Sequence, residues 1–384
     1  MQRHMGKVKI MGFVGEKKEK PSGFIVGKKE FLEQIEAPLN KKVAFPEDIR
    51  KTEELIKSLS EKDEVTLLVS GDPLFFSLGE KIARNFPDSV VIPEVSYMQI
   101  AFSRIKESWK DASFTSLHGR DMELLLPAIV KAKRFLFVFT SPQNNPGRIA
   151  DFLLKANLNE DVRMHIFERL NTPKERVQTL SLREAAQKEF AEPNCVILEK
   201  LKEYPDIFRD ELYQSRKGLL TKGPIRGMIL SLLGCGNRKV VWDVGAGSGA
   251  VSITLSRNSE FVFAIEKDEE SLNILKSNIK TFGAWNVIPI KGEAPSAFEG
   301  LKEPDAVFIG AGLKNPEVVE EAYQRLKKRG KLVATFVSPE SLKEAFKLAE
   351  KLNARMLSVS ITEYSGKLPK PRIPVWIMIS QKYT

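Results

Sequence analysis

Residues 240–249 read Val-Val-Trp-Asp-Val-Gly-Ala-Gly-Ser-Gly, and no other stretch restricts the fold as much. An apolar run rich in β-branched residues ends in three alternating glycines, and an amphipathic segment over 250–257 follows at once. That is the pattern of a buried strand, a tight turn and the start of a helix. Glycine at 245, 247 and 249 strips the turn of Cβ atoms, so a ligand can approach the backbone directly. The helix start offers unpaired N–H groups at the same place. Downstream, strands are expected near 239–244, 261–266, 286–291, 305–310 and 331–337, alternating with helices as a doubly wound sheet requires. Leu272, Leu275, Ile279 and Phe282 share one face of a helix over 268–282, with Asp268 as its cap. Ser338 and Pro339 open another helix. Two last strand-like runs, 356–364 and 373–380, should form an antiparallel pair.

The spacing of the glycines decides which ligand the turn suits. A dinucleotide fingerprint runs G-x-G-x-x-G to seat a pyrophosphate. Here the run is G-x-G-x-G, with Asp243 two residues ahead of it and Glu266 closing the next strand. That is the arrangement of proteins that bind S-adenosylmethionine (SAM), and the terminal antiparallel pair agrees with it. A carboxylate at Glu266 can accept hydrogen bonds from both ribose hydroxyls.

With 384 residues, the chain fits two domains of about 150–200 residues each. The 60 Lys and Arg against 50 Asp and Glu leave a formal charge of +10, which attracts polyanions, whether nucleic acid or a small polycarboxylate. No apolar run reaches the length of a membrane span, and no leader pattern opens the chain. Cys195 and Cys235 show neither metal nor disulfide spacing, which predicts two buried thiols, no metal site and a cytoplasmic location.

The first half alternates too. Strands are expected at 64–70, 90–92, 114–117 and 134–140, with helices over 74–85 and 97–105. Each strand runs into a polar loop, around Gly71-Asp72-Pro73, Pro93 to Ser96, His118 to Asp121, and Ser141-Pro142. Ligands of open α/β sheets bind at the carboxyl ends of strands, so these four loops should share one rim. The mixed-charge stretch 199–222 marks the boundary, giving domains 1–200 and 201–384.

These residues carry a family likeness. Ser70-Gly71-Asp72-Pro73-Leu74-Phe75, residues 95–102 and Ser116-Leu117-His118-Gly119-Arg120 resemble the tetrapyrrole methylases. Thr221-Lys222, Ile225-Arg226, residues 243–249 and Gly292-Glu293-Ala294 resemble decarboxylating corrin methyltransferases. Fused in this order, the halves are similar to the decarboxylating precorrin methyltransferases of cobalamin synthesis. The resemblance implies an α/β chain of two domains, the first tetrapyrrole-methylase-like and the second a Rossmann-like class I SAM methyltransferase. It implies methyl transfer from SAM to ring carbons 5 and 15 of precorrin-6B or its cobalt form, with decarboxylation of an acetate side chain. The second domain would serve carbon 15 and the decarboxylation, and the first carbon 5 if still active. SAM contacts are then expected at Thr221, Asp243, Gly245, Ala246, Gly247, Ser248, Gly249, Glu266, Glu293, Ala294 and Gly310. In the first domain they would fall at Gly71, Asp72, Ser96 and Ser116. A homo-oligomer is a further implication.

The sequence departs from that family at three places. The opening strand normally leads through Gly-x-Gly-Pro-Gly into a helix, yet here residues 10–15 run into Glu16-Lys17-Lys18-Glu19-Lys20, so the first domain is shortened at its N-terminus. Glu94 stands where glycine is usual, and Pro224 where glutamate is. Small residues over 309–313 leave room for a large flat acceptor, or make an ordinary tight loop. His118, Arg120, Arg226, Lys367, Lys370 and Arg372 are candidates to grip substrate carboxylates, against the alternative of solvated surface charge. Two other readings stay open: an RNA methyltransferase with an N-terminal RNA-binding module, and a first half that is a scaffold only.

Overall fold

The computed structural model describes residues 8–15, 20–46, 48–159, 161–216, 220–234, 236, 240–310, 315–364, 366 and 368–383. The chain forms two compact units, unit 1 from Met1–Met122 and Lys133–Leu201, unit 2 from Glu123–Ala132 and Lys202–Thr384. Cys235, Lys367, residues 16–19 and residues 311–313 of the small-residue loop lie outside the described residues.

Unit 1 contains β1 (Val8–Phe13), β2 (Phe24–Gly27), β3 (Lys42–Ala44), β4 (Val65–Ser70), β5 (Val90–Ile92), β6 (Ser113–Ser116), β7 (Phe135–Phe139), β8 (Val162–Glu168), β9 (Arg176–Ser181) and β10 (Asn194–Lys200). They build two sheets, ordered β3-β2-β4-β1-β5 and β6-β7-β10-β8-β9. The first is parallel throughout. In the second only the β6–β7 pair is parallel. The expectation of a single rim is therefore corrected: β4 and β5 end on one sheet, β6 and β7 on the other. The antiparallel run β10-β8 draws β7 away, because its apolar residues close a separate core around Phe102, Phe135, Phe137 and Phe167. Loop residues still meet across the sheets. Phe75, after β4, lies edge-on to Phe114 of β6 at 5.4 Å and 5.9 Å from Phe139 of β7.

The helix expected from residue 74 begins at Leu78, with Ser77 as its cap. Asp72 Oδ1 takes the Leu74 N–H at 2.8 Å, and Phe76 adopts φ +51°, so residues 74–77 are a turn. The helix Tyr97–Ile105 starts where the sequence predicts, because Ser96 and Gln99 close a reciprocal capping box. Cys195, on β10, is buried.

Unit 2 contains β11 (Val240–Val244), β12 (Phe261–Glu266), β13 (Val287–Lys291), β14 (Ala306–Ile309), β15 (Lys331–Phe336), β16 (Arg355–Val359), β17 (Thr362–Glu363), β18 (Lys370–Pro371) and β19 (Val375–Gln381). The main sheet runs β13-β12-β11-β14-β15-β19-β16, and β19 is antiparallel to both of its neighbours. The last antiparallel pair is shorter than the pattern suggested. β16 stops at Val359, residues 362–363 pair instead with 370–371, and β19 waits until Val375 because Pro374 has no N–H to give a ladder. Asp268 and Ser338 cap their helices as expected, and Pro224 sits in the first turn of the helix Gly223–Leu233, which suits it. Among the described residues no helix is long and apolar enough to cross a membrane.

Candidate functional site

The centre of the main sheet of unit 2 is a topological switch point. From β11 the chain turns to β12 on one side, and from β14 it continues to β15 on the other, which leaves a crevice beyond the carboxyl ends of β11 and β14. The glycine turn sits there. Gly245 and Ala246 both donate to Ile265 O, at 3.0 and 3.1 Å, and Gly249 closes the turn onto Ala246 O at 2.8 Å. All three glycines have positive φ, +75°, +54° and +78°, which favours glycine on backbone grounds alone.

Their surroundings differ. A Cβ on Gly245 or Gly247 would meet nothing within 4 Å, whereas on Gly249 it would lie 2.1 Å from Leu275 Cδ1. The first two glycines thus keep the floor of the crevice bare, and the third lets the helix Ala250–Ser256 pack against Glu269–Phe282. Gly310 flanks the turn. Its N–H bonds Val244 O at 3.0 Å, and an added Cβ would lie 3.1 Å from Gly245 O.

Two acids frame the turn, in opposite environments. Glu266 is partly exposed at the end of β12. Its Oε2 accepts from Gly247 N at 2.8 Å, and its Oε1 accepts from the N–H groups of Lys267 and Asp268, both at 2.9 Å. A carboxylate has about four acceptor positions, so one on Oε2 stays available beside the crevice. Asp243 is buried beneath the turn. Ser252 Oγ donates to its Oδ2, while Oδ1 is buried with no hydrogen-bond partner. Burial, the largest influence, pushes the Asp243 carboxyl up to about 7; the Ser252 contacts oppose this and the charge of Glu266 adds to it.

Other predicted residues are placed as follows. Ser248 is buried and its carbonyl accepts from Asn278 Nδ2 at 2.8 Å. Glu293 is exposed and pairs with Lys267 at 2.7 Å. Ala294 is half-buried against the core of unit 2. Thr221 is half-buried, and its carbonyl accepts from Arg226 Nη1 at 2.6 Å. Arg226 requires a correction. It is fully buried, and its guanidinium also donates to Asp210 Oδ1 at 2.6 Å, Ile207 O at 2.7 Å and Thr254 Oγ1 at 3.1 Å. It ties the segment before its helix to the unit and has no free fork for a substrate carboxylate. Lys370 and Arg372 are exposed, and Arg372 pairs with Glu363 at 2.6 Å.

Sequence reasoning missed Asn278 and Ser252. Asn278 is buried, takes Gln214 N on Oδ1 at 3.0 Å and donates to Gln214 O and Ser248 O, both at 2.8 Å, so it joins the glycine turn to the preceding segment. A signal existed, since Asn278 falls among Leu275, Ile279 and Phe282 on a predicted apolar face. Among the described residues no group of His, Cys, Asp and Glu could hold a metal ion.

In unit 1, His118, Gly119 and Arg120 are exposed after β6, and Ser116 Oγ accepts from His118 N at 3.3 Å. Gly71 donates to Phe13 O at 3.1 Å, and Ser96 is buried, its Oγ accepting from Gln99 N at 3.2 Å and its N–H donating to Gln99 Oε1 at 2.9 Å.

Family models match both parts of the chain. The description "Tetrapyrrole (Corrin/Porphyrin) Methylases" covers residues 16–186 and "Precorrin methyltransferase domain" residues 211–370. A precorrin-6Y C(5,15)-methyltransferase (decarboxylating) of Sinorhizobium sp is 32% identical over 286 residues, 72% of this chain and 69% of the relative. A Pyrobaculum calidifontis protein named "Probable cobalt-precorrin-6B C(15)-methyltransferase (decarboxylating)" is 37% identical over 142 residues, 35% of this chain and 72% of its own. The crystal structure of a precorrin-6y C5,15-methyltransferase from Geobacter metallireducens GS-15 aligns with 47% of this chain and 100% of its own, with a TM-score of 0.44 and 32% identity.

Proposed function

The chain belongs to the family of decarboxylating precorrin methyltransferases, and from that we propose that it methylates precorrin-6B, or its cobalt form, at carbon 15 and releases carbon dioxide from an acetate side chain. Unit 2 is the seat of both steps. Carbon 5, the other position in the relative's name, falls to unit 1 if that unit holds a donor of its own. The RNA-methyltransferase alternative is set aside by the two family matches.

One observation carries the assignment of the donor site. Gly245 and Gly247 face open space at the switch point, and Glu266 keeps an acceptor position beside them. When bound there, SAM supplies a sulfonium methyl group. Gly245, Ala246 and Gly247 let the donor lie against the backbone, Ser248, Gly249 and Gly310 shape the crevice, and Glu266 accepts from its sugar hydroxyls. Asp243, held by Ser252, and Asn278 fix the turn from below. Thr221, Glu293 and Ala294 complete the expected surround. The acceptor is an electron-rich ring carbon, so no strong base is needed. These residues act by placing the two partners and excluding water. Lys370, and Arg372 if it leaves Glu363, are exposed in unit 2 and suited to the acceptor's carboxylates, as His118 and Arg120 are in unit 1.

The reading includes the domain division 1–200 and 201–384, a cytoplasmic location and a homo-oligomer. Exposure of Tyr364, Leu368 and Ile373, at 70%, 81% and 76%, supports self-association. The test is incubation of the purified protein with methyl-labelled SAM and precorrin-6B. The expected result is label at carbon 15 with carbon dioxide released in step. Carbon dioxide release that continues without SAM, or no transfer of label by protein that binds SAM, refutes the proposal.

A further inference from the structure

We infer that Phe76 of unit 1 is a contact residue for the acceptor ring, the exposed member of a phenylalanine cluster against which a precorrin lies for methylation at carbon 5. The inference rests on the assignment of carbon 5 to unit 1 proposed above, and it names the chemistry that would hold the acceptor there.

Phe76 stands where the backbone least favours a bulky side chain. Ser77 caps the helix Leu78–Asn85, and Phe76, just before it, has φ +51°. That left-handed conformation is rare for a bulky residue, and glycine or asparagine would take it more readily. A residue before the cap often packs onto an apolar fourth residue of its helix, but the fourth residue here is the exposed Lys81. Burial does not account for the phenylalanine either, since 44% of it is exposed. A side chain kept half in solvent on an unfavourable backbone points to a use outside folding.

Its neighbours indicate that use. Phe76 stands edge-on to Phe75 at 5.0 Å and tilted against Phe139 at 5.5 Å, and Phe75 also meets Phe114 at 5.4 Å. The four rings come from the loop after β4 and from β6 and β7, so both sheets of unit 1 contribute. Phe75, Phe114 and Phe139 are half-buried and pack on the core around Phe102, Phe137 and Phe167. Phe76 carries the cluster out to the surface.

Positive charge adjoins the rings. Ser116 pairs with Phe139 across the β6–β7 ladder, and Leu117 N donates to Phe139 O at 2.8 Å. The next residues are His118, Gly119 and Arg120, all exposed. A Cβ on Gly119 would meet nothing within 4 Å, and among the described residues no carboxylate pairs with Arg120. An aromatic surface beside such a cation fits a flat macrocycle whose edge carries carboxylates. It does not fit the sulfonium donor, whose own positive charge Arg120 would repel.

The test compares the full-length parent with Phe76→Asn, which removes the ring but keeps a residue that tolerates the left-handed backbone. Its melting temperature should equal or exceed the parent's. With precorrin-6B and methyl-labelled SAM, label at carbons 5 and 15 is resolved by NMR. The expected result is a fall of about tenfold in kcat/KM for carbon 5, chiefly through KM, restored in Phe76→Tyr. Label at carbon 15 and release of carbon dioxide should hold. Calorimetry with S-adenosylhomocysteine (SAH), the donor's demethylated product, should give the parent's affinity. Carbon 5 labelling equal to the parent's overturns the inference and leaves carbon 5 with unit 1. Weaker SAH binding at an unchanged KM for precorrin-6B also overturns it, because Phe76 would then face the donor. A lower melting temperature with both labels falling together makes the role structural and overturns it too. No carbon 5 label from the parent overturns the assignment of carbon 5 to unit 1, and the inference with it.

Discussion

The glycine turn of unit 2 yields a prediction in which stability and ligand binding must separate. Gly247→Ala and Gly249→Ala add the same methyl group two residues apart, at φ +54° and +78°. Each substitution carries the left-handed backbone penalty of a non-glycine residue, about 1–2 kcal/mol. At Gly247 nothing more is lost, because the new Cβ meets no atom within 4 Å. At Gly249 it would stand 2.1 Å from the fully buried Leu275 Cδ1, so a packed leucine must leave its rotamer. Overpacking of that kind costs about 1–3 kcal/mol, which brings Gly249→Ala to about 2–5 kcal/mol. The ligand effects run the other way. The Gly247 methyl occupies the floor of the crevice and should weaken SAH at least tenfold, equivalent to about 1.4 kcal/mol. Gly249→Ala, once folded, should lose less affinity. Urea unfolding followed by tryptophan fluorescence suits the first measurement, since Trp242, Trp285 and Trp376 all lie in unit 2. Calorimetry with SAH supplies the second. If Gly247→Ala loses as much stability as Gly249→Ala, or binds SAH like the parent, the division of labour among the glycines is wrong.

Burial raises the Asp243 pKa from 3.8 to about 7, so between these values the folded state binds more protons than the unfolded chain, and this group makes stability fall as pH rises through that window. Asp243→Asn should flatten that part of the profile in urea titrations at pH 5 and pH 8, and an unchanged slope counts against the assignment. Arg226→Met leaves Asp210 without its 2.6 Å partner, frees the carbonyl of Thr221 and leaves that of Ile207 with Tyr213 alone. A loss of about 3 kcal/mol is expected on thermal or urea unfolding, whereas a stable variant with a selective rise in substrate KM would restore the carboxylate-gripping role. Asn278→Ala should cost about 1–3 kcal/mol by orphaning Gln214 and Ser248 backbone groups; hydrogen exchange should show the loss concentrated in the turn over 245–249.

Much of unit 2 can be read from local chemistry. The three glycines need positive φ, Asp268 and Ser338 cap the helices they precede, and the apolar face of Glu269–Phe282 follows a helical period. Each of these signals acts between residues close in the chain. The final strand pair is shorter than its apolar pattern, because Pro374 and the ladder Thr362–Glu363 with Lys370–Pro371 interrupt a run that looks continuous.

Local chemistry along the chain thus dictates the glycine turn, the acid at each side of it and the alternation that places both at the end of a parallel strand. Tertiary structure alone decided that Arg226 is an internal tie, that Asn278 braces the turn, and that β6 and β7 leave the sheet of β4 and β5. It also decided that a Cβ on Gly249 would meet Leu275 while one on Gly247 would meet nothing within 4 Å. Backbone conformation and capping depend on a few successive residues, so composition and spacing reveal them. Whether a side chain or a crevice is filled depends on atoms brought together from distant parts of the chain, and no local pattern encodes that.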